Sequence, residues 1–177
     1  MAKKINFSKF EQRLQKEKSQ LPKVLGNIAL RHFRQGFRKG GFTDKAFKPW
    51  KPRKHPNAAD TRTGKKRGLL IDSGNLRGSL RVKTANFRRI RVGSYGIEYA
   101  TIHNEGGTTH PKVTPRMRGF MRHQFKKTGN PLFNAIANTK KTSLTVPIPQ
   151  RKYIGVSVAL RKKLEKRILK EIKSIFG

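Results

Sequence analysis

Apolar residues near the N-terminus recur at the spacing of a helix face. Phe7, Phe10 and Leu14 line one side of a short predicted helix. From residue 21 to residue 37 a second apolar stripe continues at the same spacing, with a proline in its first turn and glycines beyond its end. The pattern predicts a helical N-terminal region over residues 1–42.

The stretch from residue 43 to residue 68 breaks this pattern. It contains three prolines and nine Lys/Arg with little apolar content, a composition typical of a segment that does not fold by itself. We expect an extended basic arm that contacts a neighbouring subunit or a partner, with Trp50 as its anchor in the neighbour's pocket. The candidate contact residues are Trp50, Lys51, Arg53, Lys54, Lys65, Lys66 and Arg67.

Periodic patterns return after the arm. Asp72 and Ser73 offer an N-cap for a short helix that carries Leu76. Residues 80–85 and 89–92 then alternate between apolar and polar positions on either side of a turn, which predicts a β-hairpin.

The remaining patterns complete the fold prediction. Residues 97–105 indicate a second short helix closed by two glycines, residues 112–125 a long strand, residues 126–143 a loop and residues 143–148 a last strand. The C-terminal residues predict an amphipathic helix over 156–176, packed on the sheet by an apolar stripe. The stripe comprises Leu160, Leu164, Ile168, Ile172 and Ile175.

Together these elements predict an α+β fold of one domain. An antiparallel sheet, within a core of residues 69–177, is bracketed by the N-terminal helical region and the long C-terminal amphipathic helix. The extended basic arm joins the two parts of the chain.

The strong positive charge of the chain indicates what kind of partner it binds. The 177 residues include 43 Lys/Arg and nine Asp/Glu, a formal net charge of +34 spread along the chain. Such a protein is expected to seek a polyanion or acidic protein surfaces. The chain has no cysteine and no run of eighteen apolar residues, and its first residues do not resemble a secretory signal. We expect no disulfide, no thiolate metal site and no membrane span.

Candidate chemistry is sparse. His103, Glu105 and His110 lie close in sequence and admit a metal or acid–base cluster, but their spacing matches no typical zinc site. A polar helix end beside a glycine turn is the favoured interpretation. We therefore expect no enzymatic activity, no metal and no cofactor. No motif for sequence-specific nucleic-acid binding is evident either, whereas non-specific contact with phosphates needs only accessible Lys and Arg.

Five short phrases occur in a particular order along the chain. They are WKPR (50–53), GLLIDSGNLRGSL (68–80), VGS (92–94), YATIHNEGG (99–107) and IPQRKYIG (148–155). This series, followed by an amphipathic helix, resembles the virion morphogenesis, or tail completion, family of tailed bacteriophages over roughly residues 30–177. One departure is Tyr153, which stands where the family typically has phenylalanine.

The resemblance implies a structural protein of the phage neck or tail end. Such a protein forms a ring, commonly of six subunits, that joins tail to head around the DNA channel. The implied partners are further copies of the chain, portal-side or connector proteins, tail tube proteins and genomic double-stranded DNA bound non-specifically. The implied location is the virion, with assembly in the host cytoplasm. The motif residues expected to determine the fold are Ser73, Gly74, Leu76, Tyr99, His103, Gly106, Gly107, Pro149 and Arg151.

Within that ring, a minority of the basic residues is expected to face the DNA channel. The candidates lie on the predicted hairpin and on the predicted long strand: Arg88, Arg89, Arg91, Arg116, Arg118 and Arg122. The remaining charge would meet acidic partner surfaces or nearby packaged DNA. The alternative is a basic protein that binds nucleic acid non-specifically and belongs to no ring.

Overall fold

The computed structural model describes residues 7–52 and 68–176. The chain divides into two compact units, one formed by residues up to 105 together with those from 150 onward, and one by residues 106–149. The expected bounds 1–42, 43–68 and 69–177 do not coincide with these units. The mixture of helices and antiparallel strands confirms the α+β prediction.

The first unit holds four helices and four strands among the described residues. In chain order they are α1 (Phe7–Lys39), β1 (Gly41–Thr43), β2 (Phe47–Pro49), α2 (Asn75–Gly78), β3 (Leu80–Ala85), β4 (Ile90–Ser94), α3 (Ala100–Glu105) and, after the second unit, α6 (Val158–Phe176). The second unit holds β5 (Gly107–Thr109), α4 (Pro115–Thr128), α5 (Pro131–Asn138) and β6 (Val146–Ile148). The predicted hairpin, second short helix and C-terminal helix are confirmed as β3–β4, α3 and α6.

The N-terminal region is one helix of 33 residues, whereas the sequence suggested a short helix and a longer one. Pro22 lies inside α1 and is buried. The buried positions from Pro22 through Ala29 to Phe37 lie on one face of the helix. Packing of this face stabilises the helix on both sides of the proline. Gly40 ends the helix with φ 69°, the left-handed conformation that favours glycine.

Within residues 7–52 and 68–176, the strands form three separate two-stranded antiparallel ribbons, β1–β2, β3–β4 and β5–β6. The expectation of one sheet was therefore wrong. A ribbon of two strands needs a packing partner to be stable, and β3–β4 finds one in α1. At Gly26 of α1 a Cβ atom would lie 3.0 Å from Cγ1 of Val82, so the missing side chain permits this close approach.

Trp50 belongs to the core of its own chain. Only 6% of its surface is exposed, its ring meets that of Phe37 edge to face at 5.5 Å, and its Nε1 donates to the carbonyl of Lys152 at 2.7 Å. The prediction that Trp50 anchors the arm in a neighbour's pocket was wrong, because both its apolar ring and its N–H are satisfied within the subunit. Lys51 is exposed, and Arg53, Lys54, Lys65, Lys66 and Arg67 lie outside the described residues.

The second unit corrects two further predictions. Residues 115–128 are helix α4 rather than a strand, and α5 occupies part of the predicted loop. Thr114 accepts from the backbone N–H of Met117 at 3.2 Å, and Asn130 accepts from that of Leu132 at 3.0 Å. Each cap is followed by a proline in the first helical turn, which is a strong helix start.

Helix α6 packs mainly against α1, not against a sheet as expected. Leu160 is buried in the core cluster and Leu164 packs against that cluster. Further along the helix, Leu169 and Ile172 are exposed. The apolar side of α6 is therefore only partly covered within the described residues.

The start of α6 is fixed by a buried polar cluster. The hydroxyl of Ser157 donates to the carbonyl of Thr43 at 2.8 Å and accepts from the N–H of Leu160 at 3.1 Å. The carboxylate of Asp44 accepts from the N–H of Val158 at 2.9 Å, and its negative charge stabilises the N-terminus of the helix. His32 Nε2 lies 3.2 Å from the Thr43 carbonyl. Burial first, and then the charge of Lys163, lowers the pKa of His32 below 6.5.

Candidate functional site

The β3–β4 hairpin has one apolar face and one cationic face. Val82 lies opposite Val92 on the side that packs against α1. On the outer side, Arg81 lies opposite Gly93 and, beyond a bulge, Thr84 lies opposite Arg91. Because side chains alternate across a strand, the hairpin turns its arginines away from the core.

Two cations of strand β3 lie over one aromatic ring beside this face. The guanidinium carbon of Arg81 is 5.2 Å from the centre of the Tyr95 ring, and Nζ of Lys83 is 5.3 Å from it. The negative face of an aromatic ring attracts such cations. Tyr95 therefore holds two positive charges close together without any carboxylate.

The turn of the hairpin places Arg88 and Arg89 side by side. The side-chain oxygen of Asn86 accepts from the backbone N–H of Arg88 at 3.1 Å and of Arg89 at 2.8 Å. This local turn chemistry leaves both arginine side chains and Phe87, 74% exposed, in solvent.

Residues 77–97 contain six Lys/Arg and no Asp or Glu. In the structure, the predicted site residues Arg88, Arg89 and Arg91 all lie on the β3–β4 hairpin. Arg81 and Lys83 belong to the same surface, and sequence reasoning missed them although their alternation with Leu80 and Val82 was available as a signal. We call the set Arg81, Lys83, Arg88, Arg89 and Arg91 the hairpin surface.

The other three candidate arginines lie on helix α4 rather than on a strand. Arg116 and Arg122 are exposed. Arg118 instead donates to the carbonyls of Ala137, at 3.1 Å, and Thr139 near the end of α5. Its guanidinium thereby joins α4 to α5 and is only half-exposed, and contact between Arg118 and DNA stays a prediction.

The second unit as a whole carries only positive formal charge. Residues 106–149 contain eight Lys/Arg and no Asp or Glu. Arg116, Arg122, Lys126 and Lys127 are exposed along α4, together with Phe120, 56% of whose surface is open to solvent. Each unit therefore presents a cationic surface of its own.

The first group of motif residues shapes the entry to helix α2. Gly74 occupies the N-cap position with φ 84°, and no side chain caps the helix there. Ser73 was expected as the cap, but its hydroxyl reaches only the N–H of Asn75, at 3.4 Å. Leu76 is buried in the core as predicted. The glycine's left-handed conformation, rather than a serine cap, makes the sharp turn.

The second group joins helix α3 to the segment before α6. The side-chain oxygen of Asn104 accepts from the backbone N–H groups of Tyr153 at 3.0 Å and Ile154 at 3.1 Å. The hydroxyl of Tyr153 donates to the carbonyl of Ala100 at 3.1 Å. Asn104 was not singled out from the sequence, although it lies within the YATIHNEGG phrase, because its partners are 49 and 50 residues away.

Arg151 connects three parts of the first unit. Its backbone N–H donates to the carbonyl of His103 at 2.8 Å, and its Nε donates to the carbonyl of Lys51 at 3.0 Å. The side chain thereby holds the chain at the start of the arm. Gly106, with φ 78°, provides the turn out of α3, and Pro149 is the last residue of the second unit.

A cavity of about 390 Å³ lies beside the motif residues, lined among others by Leu70, Tyr99, His103 and Arg151. Nδ1 of His103 is buried and has no hydrogen-bond partner among the described residues. Burial first, and then the charge of Arg151, lowers the pKa of His103 below 6.5. In the part of the chain described, no group of three or more His, Asp or Glu is arranged to hold a metal ion. Nor is any helix in that part long and apolar enough to cross a membrane.

Leu76 and Tyr153, from two of the sequence phrases, thus belong to the core of the first unit. The profile of the phage virion morphogenesis family matches residues 6–173, and the chain belongs to this family. No curated protein and no solved structure matches the chain.

Proposed function

We propose that this virion morphogenesis protein is a subunit of a ring at the phage neck or tail end, completing the tail and joining it to the head around the DNA channel. The observation that supports this proposal is the hairpin surface, which gathers five cations without a carboxylate between residues 77 and 97. A surface of this kind attracts phosphates without reading bases, as a channel through which DNA slides requires.

The amount of charge indicates that DNA is not the protein's sole partner. Six subunits would carry a formal charge of +204, six times +34. Duplex DNA carries about one charge per 1.7 Å of axis, so a channel of roughly 40 Å encloses only about 24 phosphate charges. Most of the positive charge must therefore meet acidic surfaces of portal-side, connector or tail tube proteins, or packaged DNA nearby.

The ring subunit needs no catalytic group, and its role is structural. We propose that it resides in the virion and assembles in the host cytoplasm. Arg88, Arg89 and Arg91 face the DNA in this proposal, with Arg116 and Arg122 as further candidates on α4.

The same cationic surfaces favour a second candidate function, that of a basic protein that binds nucleic acid non-specifically and forms no ring. The two functions differ in self-association. The test is light scattering of the purified chain at about 0.15 M salt, combined with negative-stain images. A closed ring of uniform size supports the neck or tail-end function. A monomer that remains a monomer in the presence of duplex DNA and virion proteins supports the second.

A further inference from the structure

Helix α6 presents an apolar pair that residues 7–52 and 68–176 leave exposed. Leu169 is 57% exposed and Ile172 is 44% exposed. Residues three apart lie on the same side of a helix, so these two side chains form one apolar strip. Nearer the start of α6, Leu160 and Leu164 pack in and against the core cluster.

Lysines lie around the Leu169 end of this strip. Leu169 lines a cavity of about 770 Å³ together with Ile28 of α1, Glu165, Arg167 and five lysines. The lysines are Lys162, Lys163, Lys166, Lys170 and Lys173. The volume falls within the range of about 300–1,000 Å³ that is usual for binding sites. Long lysine side chains contribute apolar walls and a charged rim.

Glu165 is the one carboxylate among the residues that line this cavity, against five lysines and Arg167. Glu165 lies 3.6 Å from Arg161, and Glu171 lies 2.5 Å from Arg167. Within residues 7–52 and 68–176, the five lysines have no carboxylate at salt-bridge distance. The surface therefore combines an exposed apolar strip with lysines that form no ion pair among the described residues.

We propose that this α6 surface docks an acidic amphipathic helix of another protein. A second copy of the chain complements this particular surface poorly, because it has only nine Asp/Glu against 43 Lys/Arg. Nucleic acid offers the negative charge but no apolar side chains to cover Leu169 and Ile172. A helix with Asp or Glu beside an apolar face satisfies both requirements.

The geometry also sets the length of the docked segment. From Lys162 to Lys173 the axis of α6 rises about 17 Å, which is roughly three helical turns. The partner helix then needs apolar residues at positions i, i+3 or i+4, and i+7, with carboxylates on both flanks. This docking does not depend on ring formation, so either proposal can fail while the other holds.

The test uses a fluorescent synthetic peptide of about fourteen residues, roughly four turns, with leucines at helical spacing and glutamates elsewhere. A scrambled peptide of equal composition is the comparison. Fluorescence anisotropy is measured with the full chain at about 0.15 M salt, where exposed charges are screened beyond about 8 Å. We expect the periodic peptide to bind at least about tenfold more tightly than the scrambled one, because only the periodic peptide buries leucines on the strip.

Two variants locate the binding. Leu169→Gln with Ile172→Gln removes the strip, and Lys166→Glu with Lys170→Glu removes charge from the rim; each is expected to weaken the periodic peptide about tenfold or more. The matched control is Lys126→Glu with Lys127→Glu on α4, which changes the net charge equally and is expected to leave binding within about threefold.

Three results would overturn the proposal. The first is equal binding of the two peptides, and the second is equal weakening by the α4 control. The third is that Leu169→Gln with Ile172→Gln leaves peptide binding intact but abolishes binding to phosphatidylserine vesicles or duplex DNA, which would assign the surface to a membrane or to nucleic acid.

Discussion

Replacing Asn104 with alanine should destabilise the first unit more than its single side chain suggests. The Asn104 oxygen accepts from two backbone N–H groups, those of Tyr153 and Ile154. Tyr153 is 1% exposed, so its N–H finds no water when the acceptor is removed. A buried donor left without a partner costs about 1–3 kcal/mol.

The N–H of Ile154 is less enclosed, since that residue is only half-buried. Together the two lost bonds should lower the free energy of unfolding by about 2–3 kcal/mol. For a chain of this size each kcal/mol moves the melting midpoint by about 2–4 °C, so we expect a shift of about 5–10 °C.

Trp50 provides the assay, because it is the chain's single tryptophan and is buried in the same unit as Asn104. Its fluorescence during thermal and urea unfolding therefore reports on that unit. The control is Asn138→Ala, which removes an exposed bond to Asn134 in the second unit and should change the Trp50 midpoint by less than about 0.5 kcal/mol. If Asn104→Ala behaved like this control, the argument that Asn104 holds the segment before α6 would be refuted.

Three further predictions follow from buried and cationic groups. Burial lowers the pKa of His32 and of His103, so below about pH 6.5 the unfolded chain binds more protons than the folded chain. We therefore expect a lower melting temperature at about pH 5 than at about pH 7. Replacing both histidines with glutamine should flatten this pH dependence. Ile168→Asp places a charge at a half-buried position of α6 and should lower the free energy of unfolding by about 3 kcal/mol or more. An unchanged unfolding midpoint in Trp50 fluorescence would instead place this side chain in solvent. Binding to random duplex DNA should weaken steeply with salt concentration. Arg88→Ala with Arg89→Ala should reduce the slope of log binding constant against log salt concentration by about 2, without creating a sequence preference. A strong preference for one sequence would instead favour a nucleic-acid-binding function outside a ring.

The parts of the fold that local patterns specify were predictable. Alternation around Asn86 indicates β3–β4, and the repeated apolar positions from Leu160 onward indicate α6. Helix α4 was missed because basic residues and Gly119 interrupt its apolar face. The caps at Thr114 and Asn130, each followed by proline, carried the signal for α4 and α5.

Contacts between distant parts of the sequence were not predictable in the same way. The N–H of Trp50 is satisfied by the carbonyl of Lys152, 102 residues away, so nothing near Trp50 in sequence announces its burial. Arg118 likewise looks like a free cation until the end of α5 is placed beside it. Composition alone therefore indicated the cationic character of the surface, but not which arginines remain exposed on it.

Cryo-electron microscopy of the intact virion tests the central proposal most directly. We predict density for this chain as a closed ring at the neck or tail end, with the β3–β4 hairpin and its arginines directed towards the DNA channel. A purified virion that lacks the chain, or that holds it away from both positions, would contradict the account.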